Sequence, residues 1–486
     1  MFTILHISDL HRSSADPISN KELVSALIAD ADRQSRETPR ISRPDAVIVS
    51  GDLVQGLPVG NPDYPAGLAR QYEEALELLL AICSLFLDGD RSRLVIIPGN
   101  HDVDWNVAFR AMSPIDMTDK NIPRLLAQPQ SNYRWSWKDR QLYEISDVGL
   151  YRQRFCYFEA IYERFYAGAP LTFPVQATRP WNLFSFAGGK VVIAAFNSCV
   201  ANDCFAVHGY IPSDAISESH LSLLNCKYAP ELRVAVWHHD VQGPPMRNDY
   251  MDVNTVKLMI DKGYRLGLHG HQHKSEAGPY SLVTSEKQVM AVTSAGSLCA
   301  PPSEIPPGFQ RQYNIVELAD FAHARLHVRQ AHVQGVFSAG VLPGIGNPSF
   351  VDLEWSSVPP GAVVNVGRGG GVAVELLDDI EQLLRTAQFS EAVSRIDAAG
   401  AILGNSGRML KTEALFRQED WPALARHLSR PINSDELGKA VRALIEIKSF
   451  KEAEVMLEVA AKNSAFPAAL VRDLRITVTT EKAVGK

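Results

Sequence analysis

Hydrophobic residues run in short, unbroken stretches through the first two-thirds of the chain, and each stretch hands over to a polar residue. Phe2-Thr3-Ile4-Leu5-His6-Ile7, Ala46-Val47-Ile48-Val49-Ser50 and Leu94-Val95-Ile96-Ile97 are three such runs. Short runs rich in branched residues predict buried strands. Between them, residues 20–36 set Leu23, Leu27 and Ala31 four apart. Residues 66–86 carry Leu68, Tyr72, Leu76, Leu79 and Leu80 on a helical period. Strand, helix, strand, helix, strand predicts an α/β domain with parallel pairing.

Residues 103–180 interrupt this rhythm. They are crowded with aromatic and cationic side chains, among them Arg134, Trp135, Trp137, Arg154, Tyr162 and Arg164, and about 151–167 reads as a helix. Because the segment leaves the core just after His101, it is expected to cover the site as a lid or wall. Contact with substrate and simple packing as a helical subdomain both remain open. Strands resume at 183–186 and 191–196 as a hairpin around Gly188-Gly189. A turn and a helix follow in 209–224. Residues 233–237 and 264–268 read as strands flanking a helix at about 252–262. Further strands are expected at 288–294, 312–318 and 323–328.

The first domain is expected to span 1–335, with its insertion at about 105–180. Pro343-Gly344-Ile345-Gly346-Asn347-Pro348, Pro359-Pro360-Gly361 and the run Gly367-Arg368-Gly369-Gly370-Gly371 mark 336–375 as a connector or small β element. From 376 to 486 the period is helical. Phe389-x-x-Ala392, Trp421-x-x-Leu424 and Phe450-x-x-Ala453 recur at steps of 32 and 29 residues. This loosely resembles the tetratricopeptide repeat, mostly without its Gly and Tyr signature positions. Helical hairpins stacked as an array, or an ordinary bundle, both fit that period.

Composition narrows the picture. At 486 residues, two or three domains are expected, and 46% apolar with 21% charged residues describes a globular protein. A net charge of -7 argues against a strongly electropositive nucleic-acid binder, though a local basic groove stays open. The six cysteines are scattered and lack zinc-knuckle spacing, so free thiols in a reducing compartment are expected. No leader and no membrane-length apolar run is visible, which makes the cytoplasm the default location.

The chemistry lies at the ends of the apolar runs. Asp9-x-His11, Gly51-Asp52, Gly99-Asn100-His101-Asp102, His238-His239 and Gly270-His271-x-His273 each follow one. Any one of these blocks is common by chance; the ordered set of five is not. Imidazole with carboxylate suits Mn, Fe, Zn or Ni better than calcium. The set resembles the calcineurin-like metallophosphoesterase family over about residues 1–320. That resemblance implies an α/β fold, a four-layer β-sandwich flanked by helices, here followed by a mainly α-helical C-terminal region.

The resemblance also implies roles. Asp9, His11 and His273 would hold one divalent ion, Asn100, His238 and His271 a second, and Asp52 would bridge them. His101 would serve the leaving group, with Asp102 as its orienting partner. Two ions about 3.5–4 Å apart can share a hydroxide and clamp a phosphoryl group during in-line attack. Manganese is the first candidate, with iron, zinc and nickel as alternatives. His239 is expected behind the ligands or facing substrate, and Asp240 stands where many relatives have Pro. His6 and His269 read as core or supporting residues, His208 as structural or rim. His323, His327 and His332 are spaced like outward residues of a ribbon.

A metal-dependent phosphodiester hydrolase is the reading that follows. A DNA or RNA nuclease of the same family, a phosphomonoesterase and a pyrophosphatase are the alternatives. The cationic aromatic insertion would stack bases in the nuclease case. The expected partners are a phosphate-ester substrate, with nucleotide or nucleic acid as candidates, and a protein or a second copy at the C-terminal helices, where the region would act as an adaptor. No membrane partner is expected.

Overall fold

The structure is a computed structural model that describes all residues except 14–17, 117–125, 127, 129, 170–179, 226–229, 242–248, 284–286, 334, 343–349, 356–375, 377–378, 381–382, 385, 464–465, 467 and 485–486. The turn-rich stretches from Pro343 and Pro359, the glycine run at 367–371, Cys226 and part of the expected 240–250 pocket wall lie outside the described residues. The chain divides into two compact units, Met1–Pro360 and Gly361–Lys486.

Two mixed sheets form the first unit. One has seven strands, in the order Val336–Ala339, His323–Val333, Gln312–Asp320, Phe2–Ile7, Ala46–Ser50 and Leu94–Ile97, with Phe350–Glu354 also paired to His323–Val333. The other runs Glu276–Val283, Lys287–Ser294, Leu266–His269, Leu232–Val236, Val191–Phe196 and Trp181–Phe186. The apolar runs are continuous because both faces of these strands are buried. Val191, Ile193 and Ala195 point into the core shared with the first sheet. Val192, Ala194 and Phe196 point the other way, into a core closed by the helices Ser213–Leu224 and Val253–Asp261. Helices Asn20–Gln34 and Ala66–Leu87 join the first core, so the order is helix, sheet, sheet, helix. Ser19 starts the first helix by a reciprocal capping box with Glu22.

Register places the site. Phe2–Ile7, Ala46–Ser50 and Leu94–Ile97 pair in parallel, with Ile7 opposite Val49 and Ser50 opposite Ile97. In the second sheet Leu268 lies opposite Val236, also in parallel. The carboxyl ends of these five strands, and the loops after them, therefore share one edge.

The insertion holds the helix expected at about 151–167, and a small sheet that was not expected. It contains a three-stranded antiparallel sheet of Met112–Ile115, Gln141–Ile145 and Tyr133–Ser136, then helices Val148–Arg152 and Cys156–Tyr166. Three of its cations are engaged by the fold, while Lys138, Arg140 and Arg152 are exposed. Arg134 is buried, with Nε 2.5 Å from Asp203 Oδ2. Arg154 donates to the carbonyls of Tyr151, Val200 and Asn202, and Arg164 pairs with Glu73. Another correction concerns His327, which points inward to Glu317 at 3.0 Å rather than outward.

The second unit is helical: Phe389–Ala399, Gly404–Arg417, Trp421–His427, Ser434–Glu446, Phe450–Ala461 and Ala468–Val484. Each of these helices packs on the next in sequence. In Ser434–Glu446, Leu437, Ala440, Val441 and Leu444 are buried at three- and four-residue spacing, which is a helix with one apolar face. Among the described residues no helix is long and apolar enough to cross a membrane. Cys83, Cys156, Cys199, Cys204 and Cys299 are free thiols.

Candidate metal centre

Three of the five motifs bend the backbone into an unusual region as they leave their strands. Asp9 (φ 51), His11 (φ 44), Asp52 (φ 52), His271 (φ 78) and His273 (φ 55) are all left-handed. A non-glycine residue held there costs about 1–3 kcal/mol, and such residues cluster at functional sites. Here the bend turns the side chains inward, toward one another. Gly99 lets the two loops touch: a Cβ there would lie 2.1 Å from Asp52 Oδ1 and 2.3 Å from Asp52 N.

Two groups of polar side-chain atoms result. In the first, His11 Nε2 and His273 Nε2 are 3.0 Å apart, and Asp9 Oδ1 is 3.4 Å from His273 Nε2 and 3.9 Å from His11 Nε2. Ligand atoms of Asp9, His11, Asp52 and His273 all fall within 4.8 Å of one another. In the second, Asn100 Oδ1 is 3.0 Å from His238 Nε2 and 3.1 Å from His271 Nδ1. Asp52 Oδ2 stands between the groups, 3.5 Å from His11 Nε2 and 3.3 Å from His238 Nε2. His238, rather than His239, faces Asn100 and Asp52. His239 turns Nδ1 to Ser198 Oγ at 2.9 Å, with its ring 4.9 Å from that of His271.

The remaining site residues split in an unexpected way. Asp102 does not orient His101. Its carboxylate accepts from the backbone N–H groups of Gly99, Leu53 and Val54 at 2.8–3.4 Å, so it ties the 99–102 turn to the loop after Ser50. His101 instead places Nδ1 2.7 Å from the Gln55 carbonyl, and its backbone N–H donates to Asp52 Oδ1 at 2.8 Å. His6 is a buried core residue bonded to Ser50 Oγ, and His269 stacks on Trp237. His208 is half-buried.

Electrostatics follows from burial. Removal from water alone would raise the Asp9 and Asp52 carboxyls, but the surrounding imidazoles outweigh it. His11 and His273 hold Asp9, and His238 and His101 hold Asp52, well below the usual carboxylate range. Burial opposes charge on His238 and His273, yet Asp52 and Asp9 prevail and raise both to about 9. Burial, with the Asp52 charge beside it, pushes Asp102 up to about 7. Burial lowers His6 to about 3, and with His271 and His238 it keeps His239 well below the ordinary value.

These donors fit a divalent transition ion. Two imidazole Nε2 atoms face each other with ionised carboxylate oxygens beside them, an arrangement that converges lone pairs and negative charge on one point. Imidazole nitrogen with carboxylate oxygen suits first-row transition ions.

Fold and site together define a metal-binding hydrolase of the phosphoesterase type. The chain belongs to the calcineurin-like phosphoesterase family, whose model matches residues 2–275, more than half of the 486 residues. No curated protein matches the chain. Solved structures similar to it include a purple acid phosphatase from yellow lupin (Lupinus luteus) seeds, at 12% identity and TM-score 0.39, covering 74% of this chain and 57% of that one. A dimetal phosphatase from Danio rerio matches at 10% identity and TM-score 0.38, covering 73% and 99%. A calcineurin-like phosphoesterase from Bacillus subtilis matches at 10% and 0.29, covering 73% and 90%. The chain thus spans little more than half the length of the lupin protein.

Three supporting residues carry no sequence motif: Gln55, Ser198 and Glu304. The Glu304 backbone carbonyl lies 2.8 Å from His273 Nδ1, and Ser198 Oγ accepts from the His238 backbone N–H at 3.1 Å.

Proposed function

We propose that the protein hydrolyses phosphodiesters with two divalent ions. Asp9, His11 and His273 would hold one, Asn100, His238 and His271 the other, and Asp52 would bind both. The observation that carries this reading is the position of Asp52 Oδ2, one oxygen within 3.5 Å of an imidazole nitrogen from each group. When bound, such ions polarise phosphoryl oxygens and acidify a water. The chain's own residues do the rest. Asn100 contributes a neutral oxygen, which limits negative charge around an anionic ester. With Nδ1 donating to the Gln55 carbonyl, the His101 ring can carry a second proton at Nε2 and pass it to the departing oxygen. Asp102 acts on the loops rather than on that ring.

The leaning to diesters rests on the Gly99-Asn100-His101-Asp102 and Gly270-His271-x-His273 blocks. A nuclease needs a basic groove, and the burial of Arg134 and Arg154 weakens the insertion's claim to supply one. Manganese is the ion to try first, then iron, zinc and nickel.

The test is turnover of bis-p-nitrophenyl phosphate, p-nitrophenyl phosphate and fluorescent single-stranded DNA by metal-reconstituted protein, with an Asn100→Ala control. Diester turnover that disappears in the variant supports the reading, and added DNA cleavage extends it to a nuclease. Monoester turnover alone would overturn the diester assignment.

A second reading concerns residues 376–486 as stacked helical hairpins, similar to tetratricopeptide-type repeats, that bind a protein. Sequential packing of the helices supports it, as do the exposed side chains of Met409, Val455, Val459 and Ile476. Crosslinking of the full chain would check it.

A further inference from the structure

One residue outside the candidate ligands reaches the back of the site at three points. Glu304 lies in the proline-rich loop between the strands Lys287–Ser294 and Gln312–Asp320. Its backbone carbonyl is 2.8 Å from His273 Nδ1. Its carboxylate Oε2 is 3.7 Å from His11 Nδ1, and Oε1 accepts from Gln55 Nε2 at 2.7 Å. The Gln55 carbonyl, in turn, is the partner of His101 Nδ1 at 2.7 Å. His11 is fully buried, and its Nδ1 makes no hydrogen bond of ordinary length, so the Glu304 carboxylate stands beside the one nitrogen of that ring that still needs a partner.

A neutral imidazole carries one N–H, and the group bonded to one nitrogen decides which nitrogen keeps its lone pair. In ligating histidines that outer partner also raises the basicity of the ring. His11 and His273 turn Nε2 toward each other, so a proton on either Nε2 would sit where an ion needs a lone pair.

We propose that Glu304 is the positioning residue of the first ligand group. Its carbonyl and carboxylate fix Nδ1 as the protonated nitrogen of His273 and His11, and its bond to Gln55 ties that pair to the strap that holds His101. The proposal rests on the two-ion reading given above. It adds a residue that touches neither ion nor substrate and that no motif marks.

The experiment compares ion affinity, by competition with a chromophoric chelator, in full-length wild type, Glu304→Gln and Glu304→Ala. Histidine ring 15N–1H spectra of the metal-free proteins are recorded alongside. Loss of an outer partner weakens ion binding by about 10- to 100-fold. Glu304→Ala is expected to approach the upper figure and Glu304→Gln, which keeps the shape and the carbonyl, the lower. His11 should show one tautomer, protonated at Nδ1, in wild type and a mixture in Glu304→Ala. Affinity within twofold of wild type in both variants overturns the proposal, as does an unchanged His11 tautomer. A loop residue that only supports the fold would lower the melting temperature of the metal-free protein and leave both readouts still. Failure of the underlying reading looks different: wild type would then take up no divalent ion, and both would fall together.

Discussion

Gly99 has no room for a methyl group. The atoms that a Cβ would meet are the Asp52 carboxylate and the Asp52 backbone nitrogen, and the backbone of a core loop cannot step aside. Gly99→Ala is therefore expected to cost about 3 kcal/mol or more, at the upper end for overpacking, and to abolish ion uptake. Gly278→Ala is the control, because nothing lies within 4 Å of the Cβ it would add. Its effect should stay within about 0.5 kcal/mol. Urea unfolding of both variants checks the contrast, and equal stabilities would contradict it.

As proposed ligands, His238 and His273 would make ion binding compete with protons. Both are raised from 6.5 to about 9 in the metal-free protein by the Asp52 and Asp9 carboxylates, against the effect of burial. A raised imidazole contributes stability that is full below pH 6.5 and is lost as the pH climbs through about 9. An ion needs the neutral rings, so uptake at pH 7 must expel protons from both, and apparent affinity should rise with pH until about 9. Adding Mn²⁺ to weakly buffered protein should acidify it at pH 7 and barely at pH 10. Equal proton release at the two pH values would show that these rings are not the ones displaced.

Within the insertion, ordering comes before chemistry. Arg134, Asp203 and Tyr151 form a buried set, with Tyr151 Oη donating to Asp203 at 2.7 Å and Arg134 Nη2 donating to Tyr151 Oη at 3.1 Å. Removing one partner of a buried pair strands the other charge, at about 3–5 kcal/mol. Arg134→Ala should therefore lower thermal stability strongly while leaving the KM of the folded enzyme near wild type. A raised KM with unchanged stability would return Arg134 to the substrate.

The same scale explains what the chain disclosed in advance. Leu94–Ile97 and Leu232–Val236 read as strands because both their faces are apolar. Met112–Ile115 and Glu276–Val283 do not, and each contains a proline, Pro114 or Pro279. Both are edge strands, where a missing N–H is tolerated. The candidate ligands were legible because each follows a strand at once. Glu304 was not: it enters from a loop hundreds of residues from His11, and the antiparallel pairing of Phe2–Ile7 with Gln312–Asp320 brings them together.

At the scale of the whole molecule, the centre draws on both sheets of the first unit. Asp9, Asp52 and Asn100 follow strands of the seven-stranded sheet, and His238 and His271 follow strands of the other. Ion binding therefore favours the state in which these sheets are packed. An ion at 100 times its dissociation constant adds about 2.7 kcal/mol to that state. Residues 361–486 carry their own apolar clusters, around Leu437 and Leu457, Ile380 and Ile396, and Leu415 and Leu424. Calorimetry of the full chain is then expected to show two transitions, of which a chelator lowers only one. A chain ending at Pro360 should keep the chelator-sensitive transition, together with the diester turnover proposed above, and lose the other. One transition that moves as a whole with the chelator would mean that the second unit is thermodynamically part of the catalytic fold.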